Sequence, residues 1–172
     1  MDSRDWWSSV KRDPFKFNDW LQKQYYGELK ASERVAGLIN KYKLGCKEAA
    51  TVGLIADKEA QHASWIGDLL RSRGLAPLDS HTERYWEETG LDFESADEAF
   101  AVAAHAEKMR LERIRAIVED EDSPSDVLEV FNKILRDEEF HEKAFRSLSS
   151  DVQYELSRYS HEKGLKALGL TL

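Results

Sequence analysis

Two Glu-x-x-His pairs, Glu59-Ala-Gln-His62 and Glu138-Glu-Phe-His141, interrupt runs that are otherwise apolar at helical spacing. At alternating steps of three and four, one stretch reads Val52, Ile55, Glu59, His62, Ile66, Leu69. Another reads Val127, Phe131, Ile134, Glu138, His141, Phe145, Leu148. That spacing places all of them on the inward stripe of an amphipathic helix. A chain with such seams must bury a carboxylate and an imidazole from each of two helices. An unpaired buried carboxylate costs several kcal/mol, so the fold must supply compensation.

Two further seams each carry one carboxylate. The first is Leu21, Tyr25, Glu28, Ser32, Val35, Ile39, Tyr42; the other is Phe100, Ala104, Glu107, Leu111, Ile114, Val118. Glu28 precedes Glu59 by 31 residues, and Glu107 precedes Glu138 by 31. Local sequence is shared as well, GELKASERVAGLI around Glu28 and AEKMRLERIRAIV around Glu107. The two halves read as a diverged repeat that brings two glutamates and one histidine from each half to one place.

The helix signals fit this. Residues 1–17 read as an irregular N-terminal arm, and residues 18–172 as a single domain. Asn18 is a candidate N-cap for a first helix to about Tyr42. A second helix is expected from about Lys47 to Arg73, stopped by Gly74 and Pro77. Residues 78–94 show no sustained period and read as a long connection. Ser95 and Glu98 form a capping-box pattern for a third helix to about Glu119. Ser123-Pro124 starts a fourth, to about Leu148. A shorter fifth is expected from Asp151 to about Ala167. The expected class is all-α: a ferritin-like four-helix bundle with a long crossover between the second and third helices and a short C-terminal fifth helix.

Composition bounds the partners. The chain has 172 residues and a formal net charge of -8. That balance argues against nucleic acid, which favours a basic surface, and suits a protein that holds cations. The single Cys46 excludes an internal disulfide and a cysteine-based zinc site. It reads as a buried or tolerated thiol. No apolar run reaches the roughly 20 residues of a membrane span, and the N-terminus has no apolar signal region. A cytoplasmic location is expected.

Four carboxylates balance two divalent cations when both histidines are neutral. Mixed carboxylate and imidazole ligands suit iron or manganese. One Glu from each of two helices and Glu-x-x-His from each of two others is the ligand set of dinuclear bundle proteins. On YYGELKAS, DKEAQH, HAEKMR and RDEEFH, the chain resembles the ferritin-like diiron-carboxylate superfamily, in the style of rubrerythrins and bacterioferritins, over residues 18–148.

The resemblance implies Glu28, Glu59, His62, Glu107, Glu138 and His141 as ligands of two iron ions, with manganese or a mixed pair as alternatives. It also implies Glu59 and Glu138 as bridges, Glu28 and Glu107 as terminal ligands, and one metal for each histidine. Tyr25, one turn before Glu28, is either a packed core residue or a redox-active neighbour of the metals. Glu33 and Glu112 rotate away from the seam and are expected to form ion pairs with Arg34, Arg113 or other bases. Glu139 and Glu142 are expected on the outer face, with the role of hydrogen-bond acceptor behind a ligand as the alternative for either. His81, His105 and His161 fall outside the pattern and are expected at the surface or beside the ligands.

Three activities follow from the resemblance. The first is a rubrerythrin-like oxidoreductase acting on O2 or peroxide. With one cysteine the chain lacks the rubredoxin cysteines of that group, so electrons would come from an external donor protein. Arg110 stands where rubrerythrins carry an extra glutamate, which puts efficient peroxidase activity in question. The second is a hydroxylase or oxygenase of a small organic substrate, for which an apolar tunnel to the metals is expected. The third is iron oxidation and storage, or a non-catalytic metal-binding bundle. Ala60 replaces the haem-ligating methionine of bacterioferritins, so no haem is expected. A homodimer is compatible with each reading.

Overall fold

The computed structural model describes residues 2–90 and 92–170. Met1, Leu91 of the expected connection, and the last two residues of the expected domain lie outside them. The described residues form α1 (Ser3–Arg12), α2 (Pro14–Lys41), α3 (Cys46–Ser72), α4 (Arg84–Thr89), α5 (Ala96–Val118), α6 (Ser125–Leu148) and α7 (Asp151–Ala167), and no strand. The four long helices α2, α3, α5 and α6 form the bundle expected from the seams.

Their boundaries have local causes. Pro14 occupies the first turn of α2, where its missing N–H costs nothing, and the Asp13 carboxylate accepts from the amides of Phe15 and Lys16. The expected cap at Asn18 is thereby corrected: Asp13 is the cap, and the helix starts five residues earlier. Beyond α3, Gly74 takes φ +70°, a conformation that costs glycine little. Ser95 Oγ accepts from the Glu98 amide as expected, but the Glu98 carboxylate takes the amide of Glu94 rather than that of Ser95.

Two expectations about irregular segments are overturned. Residues 3–12 form a helix, and Trp7 and Val10 on it are buried. The Trp7 indole N–H donates to Ser123 Oγ at 2.8 Å, and Ser123 in turn donates to the Ile117 carbonyl. The segment is therefore pinned to the α5–α6 turn. Within the 78–94 connection, Arg84–Thr89 form the short α4, whose Tyr85 is buried against α7. A Cβ on Gly164 would stand 2.5 Å from the Tyr85 ring, so the glycine is what lets α7 close over it.

The interior consists of two apolar clusters. One holds Trp7, Leu21, Ile66, Leu70, Ile114, Phe131 and Ile134 among others; the second holds Val35, Val52, Ile55, Phe100, Ala104 and Phe145 among others. Along α2 and α6 the chain passes from the first cluster to the second; along α3 and α5 it passes back. Helices α3 and α5 therefore run the same way, and a crossover must return the chain along the bundle between them. That is the ferritin-like connectivity. On all four helices the seam carboxylates fall between the clusters: Glu28 between Leu21 and Val35, Glu59 between Ile55 and Ile66, Glu107 between Ala104 and Ile114, Glu138 between Ile134 and Phe145.

No helix among the described residues is long and apolar enough to cross a membrane.

Candidate metal centre

All six residues of the seams converge. Glu28, His62, Glu138 and His141 have no solvent exposure, Glu59 has 1% and Glu107 has 9%. Their ligating atoms fall into two sets, each within 4.8 Å: Glu28, Glu59, His62 and Glu138 in one, Glu59, Glu107, Glu138 and His141 in the other. Glu59 and Glu138 belong to both. His62 Nδ1 lies 3.6 Å from Glu28 Oε2, 3.7 Å from Glu59 Oε2 and 3.6 Å from Glu138 Oε1. His141 Nδ1 lies 3.0 Å from Glu59 Oε1 and 3.5 Å from Glu138 Oε2. Most of these separations exceed hydrogen-bonding range. Ligand atoms about 2.0–2.2 Å from a shared cation would lie roughly 3–3.5 Å from one another, so the spacing suits ions between them.

The hydrogen-bond inventory supports this fit. Apart from ion contacts among themselves and with Arg110, both carboxylate oxygens of Glu28 and Glu138, Glu59 Oε2, His62 Nδ1 and both ring nitrogens of His141 are buried and make no well-formed hydrogen bond, and the same holds for Nε and Nη2 of Arg110. Buried polar groups are rarely left so. Two cations would satisfy the carboxylate oxygens and the two Nδ1 atoms together, and oxygen-rich sets with one imidazole per metal suit iron or manganese.

Asp137 is a participant that the seams did not reveal. Its Oδ2 lies 3.1 Å from His62 Nε2, across 75 residues of sequence. A carboxylate here takes the Nε2 proton and turns Nδ1 toward the seam glutamates, and in the neutral ring Nδ1 is then free of a proton, an arrangement that orients metal-bound histidines. The expectation that Glu139 or Glu142 would serve this role finds no such contact; Glu139 pairs with Arg115 at 3.1 Å.

Arg110 is the second participant. Rather than facing away, its guanidinium pairs with Glu28 and lies 2.6 Å from Glu138 Oε1. Charge is unevenly distributed as a result. Burial opposes the Glu138 carboxylate, but the Arg110 guanidinium, with His141 and Glu107 close by, holds it below the usual carboxylate range. Glu107 is pushed well above that range by burial and by the neighbouring Glu138 and Glu59. Both histidines are raised: burial opposes their charge, but Glu59 and Glu138 around each of them, and Asp137 beside His62, outweigh it.

The remaining candidates sort as follows. Tyr25 packs on the first apolar cluster, with its ring 3.2 Å from where a Gly67 Cβ would stand. Glu33 pairs with Lys30, not with Arg34; Arg34 instead donates to both Glu83 carboxylate oxygens, at 2.8 and 2.9 Å. Arg113 has no carboxylate partner among the described residues. His105 and His161 are buried, not at the surface: their rings stack with centroids 4.8 Å apart, and His161 Nδ1 lies 2.8 Å from the Tyr85 hydroxyl. His81 lies edge-on to Tyr26. Cys46 is exposed.

A cavity of about 150 Å³ reaches the centre, with Glu59 and Glu107 in its wall. Its wall is largely apolar, as expected for an organic substrate, but arginines interrupt it. Arg34, Arg110 and Arg113 line it, beside Trp6 and Trp86.

No curated protein and no solved structure matches the chain. A family description does: Rubrerythrin, over residues 19–149, which contains all six converging residues and both helix pairs. The chain belongs to the rubrerythrin family, a ferritin-like diiron-carboxylate family.

Proposed function

We propose that the protein is a diiron-carboxylate oxidoreductase that reduces peroxide or O2, with Glu28, Glu59, His62, Glu107, Glu138 and His141 as the metal ligands. One observation carries the reading: two Glu/His sets share Glu59 and Glu138, so these two carboxylates could serve two metal ions at once. Two reduced irons held by these residues would supply the two electrons that, with two protons, turn hydrogen peroxide into two waters. An external donor protein would return the electrons; Cys46 is the single cysteine of these 172 residues and does not make a cysteine-ligated second centre.

The chain's own residues set the conditions. Asp137 holds the His62 ring with Nδ1 inward. Two apolar clusters close the centre along the bundle, which excludes water and strengthens each charge interaction inside. Glu107, raised by burial and by its carboxylate neighbours, takes a proton more readily than an ordinary carboxylate. Arg110 offsets part of the carboxylate charge in the metal-free protein.

A second reading, oxidation of a small organic substrate, is favoured by the cavity that reaches Glu59 and Glu107. Iron-loaded, reduced protein supplied with peroxide and an artificial electron donor tests the first. Turnover that disappears in Glu59→Ala is expected. Loaded protein that consumes neither peroxide nor O2 faster than free iron overturns it.

A further inference from the structure

The halves of the bundle carry an arginine at the same place: Arg34 lies six residues after Glu28, and Arg113 six residues after Glu107. Both line the cavity beside the metal centre. Each lies over a tryptophan, Arg34 on Trp86 at 4.3 Å and Arg113 on Trp6 at 4.9 Å. Here the likeness stops. Arg34 has a carboxylate, Glu83, supplied by the crossover. Arg113 has none, and its Nε–H is buried without a hydrogen-bond partner. Nor does Arg110 neutralise it. That guanidinium is committed to Glu28 and Glu138, and as a like charge it adds to the burial that pulls Arg113 down to about 10.

An arginine with an orphaned buried donor is costly to keep. A guanidinium presents its N–H groups as a planar fork that matches a carboxylate. Glu83 on Arg34 shows the answer this same scaffold gives in its other half. Charge points the same way. Once two divalent cations offset the four seam glutamates, Arg110 and Arg113 leave the region positive, and it favours an anion.

We propose that this cavity is the binding site of a small organic molecule with one carboxylate, which pairs with Arg113 as Glu83 pairs with Arg34. The apolar body of the ligand packs against Trp6, Ile114 and Ile117, and the cavity wall carries it to Glu59 and Glu107. A cavity of about 150 Å³ is of the size that holds a benzene ring, which limits the body to roughly that bulk. The arginine-lined wall selects for charge, where an apolar tunnel would not. As a substrate site this rests on the organic-substrate reading of the centre; the binding itself does not.

The test is titration of benzoate into metal-free and Zn(II)-loaded protein, followed by calorimetry and tryptophan fluorescence, with benzamide and inorganic phosphate as comparison probes. Arg113→Met keeps the stem over Trp6 and removes the charge; Arg113→Lys keeps the charge and removes the fork. One saturable benzoate site is expected. It weakens at least tenfold in Arg113→Met and recovers in part in Arg113→Lys. In the unaltered protein benzamide binds at least tenfold more weakly than benzoate, an arm that needs no variant to fold. No saturable benzoate site overturns the proposal, as does equal affinity in a folded Arg113→Met, benzamide binding as tight as benzoate, or phosphate binding in its place. An Fe(II) titration of the same preparations reports on the metal centre separately, so failure of either is recognised apart from the other.

Discussion

The α2–α3 and α5–α6 halves supply the same inward residues and surround them differently. Glu28 matches Glu107, Glu59 matches Glu138, and His62 matches His141, at equal spacing. One residue before the Glu-x-x-His pair, however, one half has Lys58 and the other Asp137. Three residues after the first glutamate, one has Ala31 and the other Arg110. The effects cross between halves. Asp137 of α6 orients His62 of α3, and Lys58 lies 3.4 Å from the same carboxylate. His141 Nε2 has no acceptor. Arg110 of α5 pairs with Glu28 of α2, while Glu107 on its own helix is left among like charges. A repeated seam fixes which side chains converge; the residues one step off the seam make the two metal positions unequal.

That comparison breaks first at the shared carboxylates. The Glu59→Ala, Glu138→Ala double variant is expected to lose both metals together, since each carboxylate serves both sets; metal analysis after gel filtration measures it. Retained dinuclear binding would mean the halves do not share their glutamates. Arg110→Met removes the guanidinium that pairs with Glu28 and Glu138 in the cluster. Loss of one partner from a buried pair costs on the order of 3 kcal/mol, so the metal-free protein should melt earlier. Iron affinity should rise because Glu28 and Glu138 are released. Unchanged melting and affinity would place Arg110 outside the cluster in solution.

Asp137→Asn tests the inequality directly. Lost orientation of a metal-bound histidine lowers affinity by about 10- to 100-fold, and only the His62 position should weaken. Lys58→Met should leave the His141 position unchanged, because nothing at residue 58 supports that ring. Two binding steps that shift equally in Asp137→Asn would contradict the account.

The smallest effect lies away from the metals. His161 is lowered to about 4 by burial, with His105 and Lys108 as further causes. Its Nδ1 shares a hydrogen bond of 2.8 Å with the Tyr85 hydroxyl. A histidine depressed in the folded state binds fewer protons there than in the unfolded chain, whose value is about 6.5. Stability should therefore be full above pH 6.5 and fall, by about 2 kcal/mol at most, as pH drops from 6.5 toward 4. Thermal melts across that range should show a shallower slope in His161→Gln. An identical slope would assign the acid sensitivity to other groups.

Much of this molecule was legible in its sequence because helical periodicity is local. The apolar seams, the 31-residue repeat and the glycine after α3 fixed the four bundle helices to within a few residues, and with them the six residues that converge. What was missed depends on distant partners. Segment α1 is only ten residues long, with adjacent Trp6 and Trp7, and its burial is decided by Ser123, 116 residues away from Trp7. Helix α4 has six residues, too few to show a period. Asp137 meets His62 across 75 residues, and spacing along one helix cannot reveal a contact between two. His105 and His161 looked like surface groups because only the closure of α7 over α5 and α4 buries them.

Anaerobic Fe(II) titration of metal-free protein is the most direct test of the central claim, that the six buried residues form one dinuclear centre. Saturation at about two irons per chain, in two unequal steps, with an oxo-bridged ferric absorption band after O2, is the result predicted. Saturation at one iron, or no specific binding, would contradict it.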